Sequence, residues 1–318
     1  IAGALCYWDY LALAVAIGVV TTVLLSLKVE MDVFVRRITR EDVYATLKFA
    51  VITAIVLPVL PNQSFGPPPL DVLNPYKIWL MVVFISGISF LGYVLVKVVG
   101  SRQGIGLTGL LGGMVSSTAV TLSFSQRSQR ETELARPFAL AIVVAWTVMF
   151  SRVVIEVAAL NVALLRILWL PMAAAAAVGL AYGVYLYFAQ RTDEEGDVAF
   201  ANPFELGPAV KFGLLYAVIL LVSKAAQMYL GNTGVYLSSV VAGLADVDAI
   251  TLSMAELSRA AGGVDLTTAS RAIVLAAMSN TVVKGGIVLT SGSPALRRAL
   301  WPGFVLMLAT GMGTAFLI

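Results

Sequence analysis

The chain has 318 residues, of which 59% are hydrophobic and 12% are charged, about half the charged fraction of a typical soluble domain. With a mean hydropathy of +0.92, this composition excludes a soluble enzyme and a disordered chain, and it predicts an all-α polytopic membrane protein. The absence of histidine excludes imidazole zinc sites, histidine-dependent catalytic units and histidine proton relays. We therefore expect no enzyme, and the net charge of +3 is too small and dispersed to indicate nucleic-acid binding.

About ten apolar segments are predicted as membrane spans, since about 20 residues are needed to cross the hydrocarbon core. In chain order they are residues 8–27, 46–60, 77–98, 104–124, 138–160, 167–188, 209–229, 235–254, 271–290 and 300–318. The segment at 46–60 is short, and those at 104–124 and 235–254 are rich in Gly, Ser and Thr. Proline residues between 61 and 69 predict a polar loop, and the acidic stretch 190–197 predicts a solvated linker.

Sequence similarities at a nearly constant offset indicate an internal duplication. The motif Asn74-Pro75-Tyr76 recurs as Asn202-Pro203-Phe204, residues 113–123 recur as 243–253, and Trp169 matches Trp301. We therefore predict two membrane repeats of four segments each, at residues 74–188 and 202–318. A polar linker at 189–201 joins the repeats, and a span with a Pro-rich loop at 44–73 precedes them.

Loop charges bear on the direction of the two repeats, because cytoplasmic loops are enriched in Lys and Arg. If all four segments of a repeat cross the membrane, the repeats are parallel. If the second segment is broken or re-entrant, three crossings remain and the repeats are inverted, as in many secondary transporters. A re-entrant segment at 104–124 keeps Arg127, Arg130 and Arg136 on the same side as Arg102. The charges therefore favour inverted over parallel repeats.

Asp246 and Asp248 lie inside an otherwise apolar segment. Two acidic residues at the centre of a span cost roughly 5 to 7 kcal/mol unless they are paired, hydrated or neutralised. Because residues i and i+2 of an α-helix point about 200° apart, both carboxylates face one site only where the backbone is unwound. At the equivalent place in the first repeat, Ser116, Ser117 and Thr118 supply hydroxyl oxygens.

Oxygen ligands that include two carboxylates are typical of a site for a hard cation such as Mg²⁺ or Ca²⁺, or for a proton. We therefore predict Asp246 and Asp248 as metal ligands and expect no cofactor other than a bound divalent cation. The hydroxyls at 116–118, with Thr121, Thr251 and Asn280, complete the predicted oxygen shell. The alternatives are that Asp246 is a helix N-cap at the headgroup level, that the acids form a structural ion pair, and that the hydroxyls only pack helices.

Two basic residues, Arg152 and Lys284, occupy matching points of the two repeats. Lys284 lies well inside its predicted span, so we expect it to pair with Asp246 or Asp248. Arg152 is expected to pair with Glu156, which is at i+4 on its own helix. For both side chains the alternative is that they snorkel to the membrane interface.

Several of these motifs resemble the uncharacterised C-terminal membrane domain of large proteins of the MgtC/SapB-like family. They are residues 90–93, 109–121, 202–204, 243–251 and 280–284. The resemblance covers roughly residues 47–318, and it implies that residues 1–43 are the tail of a preceding MgtC-like membrane domain. The family is associated with magnesium homeostasis and bacterial virulence, but the resemblance supports the motif positions without implying a role for any of them.

These observations together predict a multi-pass ion transporter of the prokaryotic cytoplasmic (inner) membrane. It moves a hard, Mg²⁺-like cation or is coupled to protons, at a site where the breaks Ser116-Ser117-Thr118 and Asp246-Val247-Asp248 meet. Its expected partners are the lipid bilayer and a small inorganic ion, and a homodimer is left open. The alternative function is a non-transporting membrane regulator or scaffold in ion homeostasis.

Overall fold

The computed structural model describes residues 40–99, 105–189, 206–260 and 262–317, together with residues 15, 17, 21 and 22. The chain divides into two compact units, Ile1–Tyr44 and Ala45–Ile318, and every helix from Pro75 onward belongs to the second unit. Most of the predicted span 8–27, almost all of the polar linker 189–201 and the second Asn-Pro-Phe motif at 202–204 lie outside the described residues.

The regular secondary structure of the described residues is helical throughout. In chain order the helices are α1 (Arg40–Ala50), α2 (Leu57–Val59), α3 (Pro75–Val99), α4 (Ile105–Ser128), α5 (Ala135–Leu160), α6 (Val162–Ala189), α7 (Leu206–Ala245), α8 (Val247–Leu257), α9 (Leu266–Ser291) and α10 (Pro294–Leu317). A π-helical turn at Val51–Val56 joins α1 to α2, and short 3₁₀ turns precede α3 and α5.

Seven helices of the described part are long and apolar enough to cross a membrane, namely α3, α4, α5, α6, α7, α9 and α10. This agrees with the predicted all-α, multi-pass architecture, although ten separate spans are not found in the described ranges. The segment predicted at 46–60 forms a shorter apolar helix, Thr46–Val59. Of an apolar 18-residue stretch in each helix, 67% is buried in α5 and 61% in α9, but only 28% to 33% in α3, α6, α7 and α10. Helices α5 and α9 therefore form the centre of the bundle.

Helix α7 folds back on itself at Gly231, where φ is +59° and ψ is −145°. A Cβ atom added to Gly234 would collide with the carbonyl oxygen of Ala226, eight residues earlier. In a straight helix these residues are about 12 Å apart. The chain therefore reverses at Gly231, where a left-handed φ favours glycine. The predicted segment 209–229 lies within the first arm, whereas the predicted segment 235–254 is not one span, because it runs from the second arm across Asp246 into α8.

Helix α4 is interrupted at Ser116, whose φ of −162° and ψ of 106° are those of an extended chain. Before this break, Gly109 lies against Ala141 of α5, and Gly113 lies against Ala145. Residue numbers thus rise together along the two helices. The first half of α4 therefore runs parallel to α5.

Beyond the break, the second half of α4 contacts α5 in the opposite order. The Oγ1 atom of Thr121 accepts a hydrogen bond from Trp146 Nε1 at 2.9 Å. One turn later, Phe124 stacks on Phe138 with 5.1 Å between the ring centroids. Helix α4 therefore enters the bundle, turns at Ser116 and returns along α5 as a helical hairpin.

Two hydrogen bonds join helix ends that are far apart in the sequence. Ser293 N donates to Ser128 Oγ at 2.9 Å, so the end of α4 meets the start of α10. Asn161 Nδ2 donates to Ser258 Oγ at 3.0 Å, so the end of α8 meets the start of α6. Asn161 and Ser293 are also the N-caps of α6 and α10.

Helices α6 and α10 pack against each other in opposite directions. Tyr182 donates from its hydroxyl to the carbonyl oxygen of Ala299 at 2.7 Å. Gly179, one turn before Tyr182, lies against Met307, which is two turns after Ala299. Because residue numbers fall on one helix as they rise on the other, α6 and α10 are antiparallel.

Candidate functional site

Each of the two motifs singled out in the sequence contains a residue whose backbone leaves the helical conformation. Asp246, between α7 and α8, has φ −158° and ψ 129°, close to the angles of Ser116. Asp246 Oδ1 accepts the N–H of Ala249 at 2.8 Å, and Ser116 Oγ accepts the N–H of Ala119 at 3.2 Å. Each residue therefore caps the half-helix that follows it.

The two breaks meet at a cavity of about 180 Å³. Its polar lining consists of Ser89, Ser116, Ser117, Thr118, Arg152, Asp246, Asp248 and Asn280. Arg152 and Asn280 lie near the middle of α5 and α9, so the cavity is roughly half-way along the bundle. The structure thus brings together most of the predicted site residues, and Asp246 caps α8 beside this cavity.

Two predicted site residues, Thr121 and Thr251, are not among the residues that line this cavity. Both are fully buried. Thr121 donates to Ser117 O at 2.7 Å, and it thereby braces the helix that follows the first break. Thr251 Oγ1 has no hydrogen-bond partner in the described part of the chain.

Arg152 connects the two breaks. Its Nη2 donates to Asp248 Oδ2, and its Nη1 donates to the carbonyl oxygen of Met114 at 3.3 Å, just before the break in α4. The predicted pairing with Glu156 is present at 3.9 Å, but the contact with Asp248 is closer. Arg152 is 9% exposed, so it does not snorkel to an interface.

Lys284 does not have the predicted ion pair. Its side chain is fully buried, and Nζ lies 2.7 Å from the Sδ atom of Met149. Among the described residues, no carboxylate lies within 4.0 Å of Nζ. Asp248 pairs with Arg152 instead, and Asp246 accepts the N–H of Ala249 at the start of α8.

Glu156 is the residue of this region that sequence reasoning underestimated, since it was considered only as a partner for Arg152. It is fully buried, and both of its carboxylate oxygens lack a hydrogen-bond partner within the described ranges. A buried carboxylate in a membrane helix is costly and is a functional candidate by default. Its position in the apolar sequence of α5, one turn after Arg152, was the available signal.

Asn280 holds the arm of α7 that leads into the second break. Its Nδ2 donates to the carbonyl oxygen of Gly243 at 3.0 Å. A Cβ atom on Gly243 would collide with the backbone of Ala276, one turn earlier on α9. The close approach of the two helices at Gly243 therefore positions the carbonyl for Asn280.

The residues that line the cavity all lie in the part of the chain that is similar to a known protein family. Residues 83–292 match the family model described as Domain of unknown function (DUF4010). The chain belongs to the DUF4010 family. A protein of Aquifex aeolicus (strain VF5) with the description "Uncharacterized protein" is 36% identical over 193 residues, 60% of this chain and 84% of that protein. No solved structure matches.

These matches do not link the chain to the MgtC/SapB-like family. Membership of the DUF4010 family is therefore established, and the resemblance to the MgtC/SapB-like family stays a prediction. Within the described part of the DUF4010 domain, no three His, Cys, Asp or Glu side chains are arranged to hold a metal ion. A cation that binds Asp246 and Asp248 competes with Arg152 for Asp248 Oδ2. Its remaining ligands have to come from hydroxyl, amide and backbone oxygens such as those of Ser116, Thr118 and Asn280.

Proposed function

We propose that the chain is a transporter that moves a small ion across a prokaryotic cytoplasmic membrane. The observation that carries the proposal is that the two helix breaks meet at one polar cavity half-way along the bundle. Non-helical backbone is tolerated at membrane depth where it is buried in protein or lines a cavity, and in transporters such breaks hold the ion.

The proposed architecture is a pair of inverted repeats. Ser258 is the counterpart of Ser128 in the second repeat, and Ser293 is the counterpart of Asn161. The residues of each pair are separated by nearly the same number of positions as the two copies of the repeated motifs. Ser128 contacts Ser293, and Ser258 contacts Asn161, so each repeat reaches the other through equivalent residues. Such reciprocal contacts are characteristic of two-fold symmetry.

The hydrogen-bonded helix ends also support re-entrant hairpins. If the second segment of each repeat crossed the membrane, Ser128 and Ser293 would lie on opposite sides, and so would Asn161 and Ser258. Both pairs are hydrogen-bonded instead. Full crossing would also make α6 and α10 parallel, whereas they pack in opposite directions.

The proposed substrate is a hard cation that competes with Arg152 for Asp248. The guanidinium neutralises Asp248, and Glu156 lies 3.9 Å from the same nitrogen. A cation bound between Asp246 and Asp248 displaces Arg152 toward Glu156, and a proton on Asp248 has the same effect. Because Arg152 also donates to Met114 O at the other break, its displacement loosens the connection between α4 and α8. Ion binding is thereby coupled to conformation.

Two aspartates provide a matched test of the site. Asp246 and Asp265 both cap helices, since Asp265 Oδ1 accepts the N–H of Thr268 at 2.9 Å, but only Asp246 lines the cavity. Although partial burial acts to raise it, hydrogen bonds from Thr268 lower the pKa of Asp265, so this control group is charged at neutral pH. Asparagine is also a good N-cap, so D246N and D265N each remove a charge and preserve the cap.

The measurement is the flux of Mg²⁺ and of protons into proteoliposomes, followed with ion-sensitive dyes. We expect D246N to lower the flux by about tenfold or more, because it removes a charged ligand. D265N is expected to match the wild type. Equal fluxes in the three proteins would contradict the assignment of the site.

The second candidate function is a non-transporting membrane regulator or scaffold in ion homeostasis. The ion pair between Arg152 and Asp248, which already neutralises the central carboxylate, is the observation in its favour. Absence of Mg²⁺ and proton flux through the wild-type protein would favour this alternative.

A further inference from the structure

A second and larger cavity lies at one end of the bundle, away from the central site. It is a groove of about 880 Å³ between the start of α5, the end of α6 and the start of α10. Its polar lining consists of Thr132, Glu133, Arg136, Tyr182, Tyr185 and Arg298. The proposed transport does not use this groove.

The groove presents more positive than negative charge. Its lining contains two guanidinium groups, those of Arg136 and Arg298, against the single carboxylate of Glu133. Arg136 Nη1 also donates to Ala189 O at 3.0 Å, which fixes this side chain at the end of α6. Helix α5 begins beside the groove without a side-chain cap, so the positive end of its dipole adds to the field. Guanidinium groups and free helix N–H groups are the donors that phosphate oxygens bind in proteins.

The surroundings of the groove indicate the membrane interface. Tyr185, which lines the groove, is 63% exposed, and Trp301, the sequence neighbour of the lining residue Pro302, is 54% exposed. Phe188, near the end of α6, is 79% exposed. Exposed tyrosine and tryptophan near the ends of spanning helices are typical of the headgroup level of a bilayer. A ligand with a phosphate headgroup and attached acyl chains fits both the charged groove and its aromatic rim.

We propose that this groove binds the phosphodiester headgroup of an anionic phospholipid. Arg136 and Arg298 contact the phosphate, and the acyl chains lie along the exposed aromatic side chains of α6 and α10. Basic pockets between spanning helices are known to bind such headgroups. The proposal does not depend on ion transport, since none of its residues lines the central cavity.

The test is native mass spectrometry of the full chain in detergent with added phosphatidylglycerol. We expect the double variant R136Q/R298Q to bind this lipid roughly 25-fold more weakly, about fivefold for each arginine removed. The matched control is R130Q/R297Q, which removes the same charge at the same end of the bundle from residues outside the lining. This control should bind the lipid as the wild type does.

Two further arms identify the source of the phosphate. Phosphatidylcholine is expected to bind more weakly than phosphatidylglycerol, and inorganic phosphate is expected not to displace the lipid. The proposal is overturned if both double variants weaken binding equally, if the two lipids bind alike, or if inorganic phosphate competes as well as the lipid does. Melting temperatures of both variants near that of the wild type establish that the protein is folded.

Discussion

Arg152 links residues that are far apart in the sequence. It contacts Met114 on α4, Asp248 on α8 and Glu156 on its own helix. Since the side chain is buried, these contacts are poorly screened by solvent. Removal of the guanidinium of Arg152 leaves the carboxylates of Asp248 and Glu156 in the interior without a compensating positive charge. Loss of one partner of a buried ion pair is strongly destabilising for this reason.

We predict that R152Q lowers the free energy of unfolding by about 3 to 5 kcal/mol. The measurement is denaturant unfolding in detergent, with the exposed residue Arg130 as control. R130Q should change the stability by no more than about 0.5 kcal/mol. The double variant R152Q/D248N should lose less than the sum of the two single variants, because the residues are in contact. Additive losses would argue against the ion pair.

At the scale of single residues, sequence reasoning identified the acids and hydroxyls of the cavity but not all of their partners. Asp246, Asp248 and Ser116 were recognisable because polar groups in an apolar segment are costly and need a local explanation. The partner of Asp248 was not recognisable, since Arg152 and Lys284 both lie in the middle of spans. Only the relative positions of α5, α8 and α9 bring Arg152 to Asp248 and place Lys284 beside Met149.

At the scale of the helices, close packing at glycine determines where α7 meets α9. A Cβ atom at Gly243 would meet the backbone of Ala276, which cannot move as a flexible side chain can. At Gly286, also on α9, no neighbouring atom lies within 4 Å of the place that a Cβ atom would occupy. Alanine substitution at the two positions therefore distinguishes the effect of close helix packing, which applies only at Gly243, from the effect of the low helix propensity of glycine, which applies at both.

We predict that G243A lowers the free energy of unfolding by about 1 to 3 kcal/mol, because it forces α7 and α9 apart. G286A is the matched control and should be neutral or stabilising by up to about 1 kcal/mol, since alanine favours the helix over glycine. Thermal unfolding in detergent measures both effects. Equal changes in the two variants would show that helix propensity rather than packing determines the result.

The positions of the breaks were readable from local sequence. Gly, Ser and Thr enrichment at 104–124 and the Asp-Val-Asp sequence in 235–254 indicated unwound backbone, and Ser116 and Asp246 are extended. A cap bonds to an N–H three residues further along, so the sequence contains the whole interaction. That α4 returns along α5 was not readable with the same certainty, because loop charge distinguished the two topologies only modestly.

At the scale of the whole molecule, the proposed inverted repeats make a prediction about membrane sides. Single cysteines at positions 130 and 291 should be labelled from one side of the membrane, and those at 162 and 259 from the other. Parallel repeats would instead place 130 with 259 and 162 with 291. The measurement is labelling of intact and permeabilised cells with an impermeant maleimide, after Cys6, the single native cysteine, is replaced by alanine.

Composition and local pattern were sufficient for the helical membrane class, because burial of apolar segments in lipid depends on each segment by itself. They were also sufficient for the two breaks, whose capping hydrogen bonds span three residues. The tertiary structure decided that the breaks meet at one cavity, that Arg152 rather than Lys284 neutralises Asp248, and that a basic groove forms between α5, α6 and α10. These features depend on helix register and direction, which are determined by packing between segments that are far apart in the sequence.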